Sequence, residues 1–244
     1  MLKVITHITK AIIIVIVSVL CFSCGFDRKS INGDGNVNIQ NRMVTTAFDT
    51  ITVSGAIEVI VEQGAQQSVS VEADGNLQEH IKTEVKAGKL KIFTDVNISN
   101  AAQKKITVVL PAINCISAEL GASVISKGVL KSDSFFLNSD IGGNLKTNIL
   151  SKNLKCQTAR GGFIEVVGTS NSVEANASSG STLDAENLKV TSANANASTG
   201  GSVTVNPTAK LIANASGGGR VYYIKAPGHF EKKAMNGGDV SVKQ

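Results

Sequence analysis

The sequence predicts an all-β protein, a parallel β-helix or β-solenoid with coils of about 20 residues, preceded by a β-rich N-terminal capping region. Three observations favour this fold: a tetrapeptide that occurs three times, glycines that recur at a nearly constant interval, and alternation of apolar with polar residues. Aromatic residues make up only 4% of the chain and Trp is absent. The core must therefore be built from Val, Ile, Leu and Ala.

The first segment of the chain is predicted to be an export signal. Lys3 and Lys10 flank the start of an apolar run, 11–22, which is too short to span a membrane and is typical of a secretory signal. The run ends at 21–25, Cys-Phe-Ser-Cys-Gly, which resembles a bacterial lipoprotein signal in which Cys24 is lipidated. An uncleaved anchor and a plain signal peptide remain the alternatives.

This interpretation predicts where the protein resides. Residues 1–23 would be the lipoprotein signal peptide, and residues 24–43 would be the lipidated Cys24 with a polar tether that leads into the first strand. The mature chain would then be an outer membrane lipoprotein that faces the periplasm or the cell surface, with the outer membrane as its partner through the lipid anchor.

Residues 44–111 are predicted to form the β-rich N-terminal part of the domain. Apolar and polar residues alternate at 51–53, 57–61 and 69–72, as in half-buried strands. Ala87-Gly88-Lys89 reads as the turn of a hairpin. The repeat frame is weaker here, and terminal units of a stack are expected to be atypical because they cover its open end.

Residues 112–242 are predicted to be the solenoid proper. Ala-Asn-Ala-Ser occurs at 175–178, 195–198 and 213–216, each time two residues before a glycine. Extending that frame gives successive spacings of 21, 20, 18, 20, 18 and 20 residues between Gly121, Gly142, Gly162, Gly180, Gly200, Gly218 and Gly238. We interpret the glycines as the bends of a seven-coil stack, where a positive φ or close backbone approach is needed.

Alternation within each coil predicts which side chains face outward. In 173–178 the apolar residues Val173, Ala175 and Ala177 share one side of the strand, so the residues between them share the other. The same frame predicts an outward ladder of Asn138, Thr158, Asn176, Asn196 and Asn214, flanked by a row of Asp140, Arg160, Ser178, Ser198 and Ser216. Stacked amides can hydrogen-bond along such a ladder.

Two hypotheses remain open for this ladder. It is either a polar strip that contacts a glycan or protein ligand, or a self-satisfied ladder that only stabilises the solenoid. Arg160 and Tyr222 complete the candidate ligand-facing set, since a tyrosine ring is a common platform for sugars. Asp140 is expected to form an ion pair with Arg160 rather than to act in catalysis.

The chain resembles the head-GIN-domain family, described as putative auto-transporter adhesins. The resemblance covers roughly residues 35–242, and the motifs that carry it are Phe48-x-x-Ile51-x-Val53-Ser54-Gly55, Gln63-Gly64, Val69-x-Val71-x-Ala73-Asp74-x-Asn76-Leu77, Leu110-Pro111-x-Ile113 and Gly121-Ala122-Ser123. It implies an exported, often lipid-anchored protein with a parallel β-helical fold and a role in the cell envelope. It supplies no catalytic motif and no defined ligand.

Charge and motif content narrow the functional classes. The formal net charge of +5 falls to +3 without Lys3 and Lys10, which is too weak and scattered for nucleic-acid binding. No motif predicts a cofactor or a metal site, and Cys115 and Cys156 are expected to be buried free thiols. We therefore expect a non-enzymatic envelope protein that binds a glycan or a protein. A polysaccharide-active enzyme and a purely structural envelope protein are the alternatives.

Overall fold

The computed structural model describes residue 10 and residues 30–243. Apart from residue 10, the predicted signal peptide lies outside the described residues, and so does Cys24. Residues 30–243 are almost entirely β-structure, with one 3-10 turn at Gly75–Leu77. The strands are β1 Ser30–Asn32, β2 Val37–Arg42, β3 Thr50–Ser54, β4 Glu58–Gln63, β5 Ser68–Asp74, β6 Ile81–Lys86, β7 Lys89–Thr94, β8 Asn97–Asn100, β9 Lys104–Leu110, β10 Cys115–Glu119, β11 Ser123–Asp140, β12 Asn144–Ala159, β13 Phe163–Ser178, β14 Thr182–Ser198, β15 Ser202–Ser216, β16 Arg220–Tyr223, β17 His229–Met235 and β18 Asp239–Val242.

From β10 onward the chain winds as a parallel β-solenoid, as the sequence predicted. Each of β11, β12, β13 and β14 pairs in parallel with the next strand along most of its length, so each coil lies directly on the previous one. The last coil is completed by β17 on β15 and by β18 on β16. The predicted stack of seven coils is confirmed.

The N-terminal coils stack out of chain order. β3 pairs with β7 below and with β10 above, and β4 pairs likewise with β9 below and β11 above. The coil made by β7 and β9 therefore lies beneath the coil made by β3 and β4, although it comes later in the chain. Beneath it, β6 pairs antiparallel with β7, and β5 pairs antiparallel with both β9 and β2. These antiparallel strands close the N-terminal end of the stack.

A small parallel ribbon of β1 and β8 stands beside this closed end. It is tied to the stack by Asp74, a fully buried residue at the end of β5. The Asp74 carboxylate accepts hydrogen bonds from the backbone N–H groups of Gly35, Ala102 and Gln103 at 3.2, 3.1 and 3.0 Å. Residues 30–42 of the predicted tether thus form β1 and β2 and the loop that wraps this carboxylate.

A two-residue bend with left-handed backbone separates the strands at one corner of every coil. At Ile141 and Gly142, for example, φ is 47° and 71°. The bend recurs at intervals of 18 to 21 residues, at Leu120-Gly121, Ile141-Gly142, Arg160-Gly161, Ser179-Gly180, Thr199-Gly200, Gly217-Gly218 and Asn236-Gly237. Glycine at the second position suits a φ that other residues seldom adopt.

These bends correct the predicted glycine frame in two coils. The residues with positive φ are Gly161 and Gly237, not Gly162 and Gly238. Gly162 serves a different purpose, because a Cβ at that position would lie 2.3 Å from the carbonyl oxygen of Ser139. Two adjacent glycines with different roles look the same in the sequence, and choosing the second one shifts the register of the coil by one residue.

The core changes in character along the stack. One inward row runs through paired positions and is fully buried: Ile51, Ile116, Leu137, Cys156, Ala175, Ala195 and Ala213. At this row the N-terminal coils carry large aliphatic side chains and the later coils carry alanines, whereas the row of Leu145, Ile164, Leu183 and Val203 stays large and fully buried. Cys156 belongs to this row, and burial raises the pKa of its thiol well above the ordinary value. Cys115 is a free thiol too, but it is half-buried rather than buried.

Within residues 30–243, the C-terminal end of the stack has no antiparallel strands over it, and its last coil carries lysines instead. β17 is an exposed edge strand, and Lys232 occupies the inward-row position that pairs with Ala213. Lys233 follows it in the outward row beside Asn214. Lysines on an edge strand discourage pairing with another chain.

Candidate functional site

The outward strand faces before the bends carry the predicted amide ladder, with one correction. Paired positions place Asn138, Gln157, Asn176, Asn196 and Asn214 in a single outward row. Thr158, predicted for this row, pairs instead with Ser139 and Ala177 and is 1% exposed. The cause is the one-residue shift of the glycine frame, since side chains alternate between the two sides of a strand.

Thr158 has a structural role inside the coil. Its hydroxyl oxygen accepts a hydrogen bond from the Ser181 hydroxyl at 2.9 Å. Ser181 Oγ in turn accepts a hydrogen bond from the backbone N–H of Ser178 at 3.0 Å. These bonds satisfy buried polar groups beside the bend, as buried groups require. Thr158 is therefore removed from the candidate ligand-facing set.

The amides of the later coils bond to one another. Asn214 Nδ2 donates to Asn196 Oδ1 at 2.9 Å, and Asn196 Nδ2 donates to Asn176 Oδ1 at 2.8 Å. Asn176 Nδ2 donates to Glu174 at 2.9 Å, and Asn138 Nδ2 donates to Ser117 Oγ at 2.8 Å. Much of the hydrogen-bonding capacity of the row is used within the protein, which favours the stabilising interpretation of the ladder.

Arg160 and Tyr222 do not belong to this ladder. Arg160 lies in a bend, with a φ of 47°, one residue beyond the position predicted for it. Its Nε donates to Asp140 Oδ1 at 2.9 Å and its Nη2 contacts Asp140 Oδ2, so the predicted ion pair is confirmed. Tyr222 lies past the bend on the next face, paired with Thr204 and Ser241. The candidate residues are therefore spread over two faces and a corner.

A groove that the sequence analysis missed runs beside the amide row, along the corner before it. This corner groove encloses about 480 Å3 and crosses the five strands β11 to β15. Its lining residues are Ser134, Phe135, Asn153, Leu154, Lys155, Ser172, Val173, Glu174, Ser192, Ala193, Asn194, Lys210 and Ile212. Strand pairing repeats these positions at about 4.8 Å per coil.

The corner groove has an apolar floor and two polar rims. The floor is an inward row in which Phe135, Leu154, Val173 and Ala193 are buried. One rim is the row of Ser134, Asn153, Ser172, Ser192 and Lys210, and the other is the row of Lys155, Glu174, Asn194 and Ile212. Each coil therefore offers a hydroxyl, amide or charged group to the groove at nearly every rim position.

The carboxylates near this surface are paired with cations. Lys155 Nζ lies 3.2 Å from Glu174, and Arg160 contacts Asp140. Hydrogen bonds from Asn176 and Lys155 lower the pKa of Glu174, and the hydrogen bond from Arg160 lowers that of Asp140. A general acid in glycoside cleavage needs a raised pKa, so these environments work against that role.

Two further features of the described residues bear on chemistry. Residues 30–243 contain no group of three or more His, Cys, Asp or Glu side chains placed to hold a metal ion. Over the same stretch, no helix is long and apolar enough to span a membrane. The fold and surface together define a parallel β-solenoid with a polar exterior groove.

The chain belongs to the family described as "Putative auto-transporter adhesin, head GIN domain", whose model matches residues 47–227. This confirms the resemblance seen in the sequence. The description of the family favours an adhesin-like, non-enzymatic role. No curated protein matches the chain.

Solved structures with the same fold come from Bacteroides and Parabacteroides species. A putative adhesin from Bacteroides fragilis has a TM-score of 0.79 and 19% identity, with 87% of this chain and 100% of that chain covered. A putative adhesin from Parabacteroides merdae has a TM-score of 0.70 and 16% identity over 88% and 99%. A structure titled putative lipid binding protein, from Parabacteroides distasonis, has a TM-score of 0.69 and 24% identity over 88% and 100%. At these identities the likeness establishes the fold alone.

Proposed function

We propose that this protein is a non-enzymatic lipoprotein of the cell envelope, held in the outer membrane by lipid on Cys24, which binds a linear glycan in the corner groove. The observation that carries the proposal is the groove itself, which crosses five strands with a polar group from nearly every coil on each rim. A chain of sugars also repeats its hydroxyl groups at regular intervals, so one groove can bind several units in register.

The rims retain donors for such a ligand. Ser172 Oγ donates to Asn153 Oδ1 at 3.0 Å, which leaves the Asn153 amide nitrogen directed to its surroundings. Asn194 Oδ1 accepts a hydrogen bond from Asn196 Nδ2 at 3.3 Å, and the amide nitrogen of Asn194 is likewise left to donate to a ligand. Lys210 is exposed at the end of the same rim. These groups are more accessible than the amides of the ladder, most of which are engaged with each other.

The test is a glycan-array screen with residues 25–244, followed by two sets of variants. Asn153→Ala combined with Asn194→Ala should weaken binding of the selected glycan by about tenfold or more, because two donors are lost. Asn187→Ala, an exposed asparagine outside the groove, is the matched control. Equal binding by all variants would place the ligand elsewhere, and shortening of the glycan would establish the alternative, a polysaccharide-active enzyme.

A protein ligand is the second candidate, since an extended peptide can also lie along a polar groove. A pull-down from envelope extracts that is sensitive to the same two groove substitutions would favour it. The anchor is tested separately with Cys24→Ala in the full chain. That variant should leave the membrane fraction, and continued membrane association would contradict the lipoprotein assignment.

A further inference from the structure

A second groove lies at the N-terminal corner of the solenoid, on the opposite side of the amide row from the corner groove. It encloses about 730 Å3 between the bends of the first coils and the β1–β8 ribbon. Its lining residues are Ser54, Gly55, Ala56, Lys91, Phe93, Thr94, Val96, Asn97, Ile98, Lys104 and Leu120. We call it the ribbon groove.

The ribbon groove is cationic. Lys91 and Lys104 line it, and its lining contains no carboxylate. Lys91 Nζ lies 4.6 Å from the centroid of the Phe93 ring, so the ammonium stays at the groove through a cation–π contact. The adjacent Lys105 behaves differently, because it pairs with Glu72 at 3.1 Å.

Carboxylates near the ribbon groove are directed elsewhere. Asp95 contacts His80 at 2.9 Å and Lys82 at 3.2 Å. Glu119 accepts a hydrogen bond from the Ser117 hydroxyl at 2.8 Å. Glu84 lies opposite Lys91 in the β6–β7 pair but is exposed and outside the lining. Glu58 is exposed and lines a neighbouring pocket with Lys104, but it does not line the ribbon groove. The two lysines of the groove therefore keep positive charge available for an anion.

The same groove presents apolar side chains. Phe93, Val96 and Ile98 are half-buried, and Leu120 is 50% exposed at its rim. Two ammonium groups beside apolar side chains match an amphiphile with an anionic head, such as a phospholipid, better than they match a neutral sugar. The corner groove has a buried floor and hydroxyl-rich rims, and so has the opposite preference.

The start of the described chain fixes where this groove lies relative to the predicted anchor. Ser30 pairs with Asn97, which lines the ribbon groove. Six residue steps separate Cys24 from Ser30, and an extended chain spans at most about 3.6 Å per residue. The ribbon is therefore within roughly 20 Å of a lipid attached to Cys24, wherever that tether runs.

We propose that the ribbon groove binds the phosphate headgroup of an anionic phospholipid in the membrane that carries the anchor. Lys91 and Lys104 contact the phosphate, and Phe93, Val96, Ile98 and Leu120 contact the upper part of the acyl chains. The inference rests on the proposed lipid anchor for its location, and on the charge and lining of the groove for its ligand.

This contact would orient the molecule. The N-terminal end lies against the membrane, and the stack extends away from it toward the lysine-bearing edge of β17. The corner groove then runs up the side of a tethered column and stays accessible to a glycan. Each basic residue close to an anionic membrane surface adds to the binding that the lipid anchor provides.

The test uses residues 25–244 without lipid, so that only the groove can bind the membrane. This part contains every strand pair of the fold, and a solved relative corresponding to 87% of the chain folds without the remainder. Flotation with vesicles of phosphatidylglycerol and phosphatidylcholine should recover the protein at low salt, and vesicles of phosphatidylcholine alone should not. Binding should fall as salt is raised, since salt screens exposed charges.

Variants decide whether the ribbon groove is responsible. Lys91→Gln combined with Lys104→Gln should weaken vesicle binding roughly tenfold or more, since each basic residue near an anionic surface contributes about 1 kcal/mol. Lys189→Gln combined with Lys225→Gln changes the charge equally at exposed lysines outside both grooves. Thermal unfolding of both pairs checks that they fold.

Three results would overturn the proposal. They are equal loss of vesicle binding in both variant pairs, no loss in either, and displacement by millimolar inorganic phosphate, which would assign the site to a free anion. Because lipid-free protein is used, none of these results depends on whether Cys24→Ala leaves the membrane. None depends on the glycan array either, so this inference and the proposed function fail separately.

Discussion

The N-terminal coils and the later coils share one register but are stabilised by different means. At one inward row the early coils carry Ile51, Ile116 and Leu137, whereas later coils carry alanines such as Ala195. A fully buried Leu or Ile contributes about 1.5–3 kcal/mol, and alanine contributes much less. The later coils add the side-chain ladder of Asn176, Asn196 and Asn214. The difference is confined to this row, because another inward row keeps large, fully buried side chains such as Leu145, Ile164 and Leu183 in successive coils.

The two ends of the stack also differ, and again the N-terminal end is the better packed one. The N-terminal end is closed by antiparallel strands and the buried Asp74, whereas the C-terminal end is an exposed edge strand carrying Lys232 and Lys233. We therefore expect the N-terminal coils to be the most stable part of the stack and the later coils to unfold locally first.

The largest effect is expected from emptying the early core. Leu137→Ala should lower the free energy of unfolding by about 2–5 kcal/mol, because the side chain is fully buried and leaves a cavity. Urea denaturation followed by circular dichroism measures this. Leu150→Ala, at a side chain that is 47% exposed, is the control and should change stability by less than about 0.5 kcal/mol.

Filling the later core tests the other half of the comparison. Ala195→Leu should cost about 1–3 kcal/mol, since Ala195 is fully buried and stacked between Ala175 and Ala213, and a larger side chain in a packed core forces its neighbours to shift. Asn194→Leu, one residue away in the outward row, should be nearly neutral. If Ala195→Leu were neutral or stabilising, the later coils would hold unfilled space and the argument from packing would be wrong.

The amide ladder is expected to contribute less. Asn196→Ala removes the bonds to Asn176 and Asn214 and should cost about 1 kcal/mol, because each hydrogen bond contributes about 0.5–1.5 kcal/mol and these are partly exposed. Asn187→Ala is the control. Glycan binding that vanishes with Asn196→Ala while stability is unchanged would assign the ladder to a ligand instead.

One bend offers a small gain in stability. Ile141 is an exposed, β-branched residue with a φ of 47°, whereas Gly217 occupies the equivalent place in a later coil. Ile141→Gly should relieve backbone strain of about 1–2 kcal/mol, but it also raises the conformational entropy of the unfolded chain. The free energy of unfolding should therefore rise by less than about 1 kcal/mol. A raised unfolding temperature is the expected result, and a lowered one would show that Ile141 contributes packing that outweighs its strain.

The N-terminal clamp should respond to acid locally. Burial opposes ionisation of Asp74, but the N–H groups of Ala102, Gln103 and Gly35 outweigh it and hold the pKa of this carboxyl below its usual range. Its contribution to stability is therefore present above the ordinary aspartate pKa and is lost as the pH falls through the lowered value. The protection factors of the amides in residues 97–103, which are corrected for the slower intrinsic exchange in acid, should fall in that range. In Asp74→Asn these protection factors should be low at neutral pH as well.

The sequence predicted the class of fold because a repeated tetrapeptide and alternating residues report directly on stacked strands. It placed Asn138, Asn176, Asn196 and Asn214 correctly in one row, whereas Thr158 was misplaced because Gly161 and Gly162 cannot be told apart by residue type. Aligning the coil of Gly161 and Gly162 on the first of these two glycines would have found Gln157.

Other features depend on contacts between distant parts of the chain. Nothing local in 89–110 indicates that it stacks beneath 50–63, and nothing in Ser30 indicates that it pairs with Asn97. The corner groove forms only when five coils align, so no single repeat reveals it. Alternation specifies which side of a strand a residue occupies, but the corner at which two outward rows face each other comes from the three-dimensional winding.

Native-state hydrogen exchange of residues 25–244, followed by mass spectrometry, tests the central comparison most directly. We expect the amides of β10, β11 and β12 to have the largest free energies of opening, and these values to fall progressively through β14 and β15 to the edge strand β17. Equal protection in all coils, or greater protection in the alanine-lined coils, would contradict it.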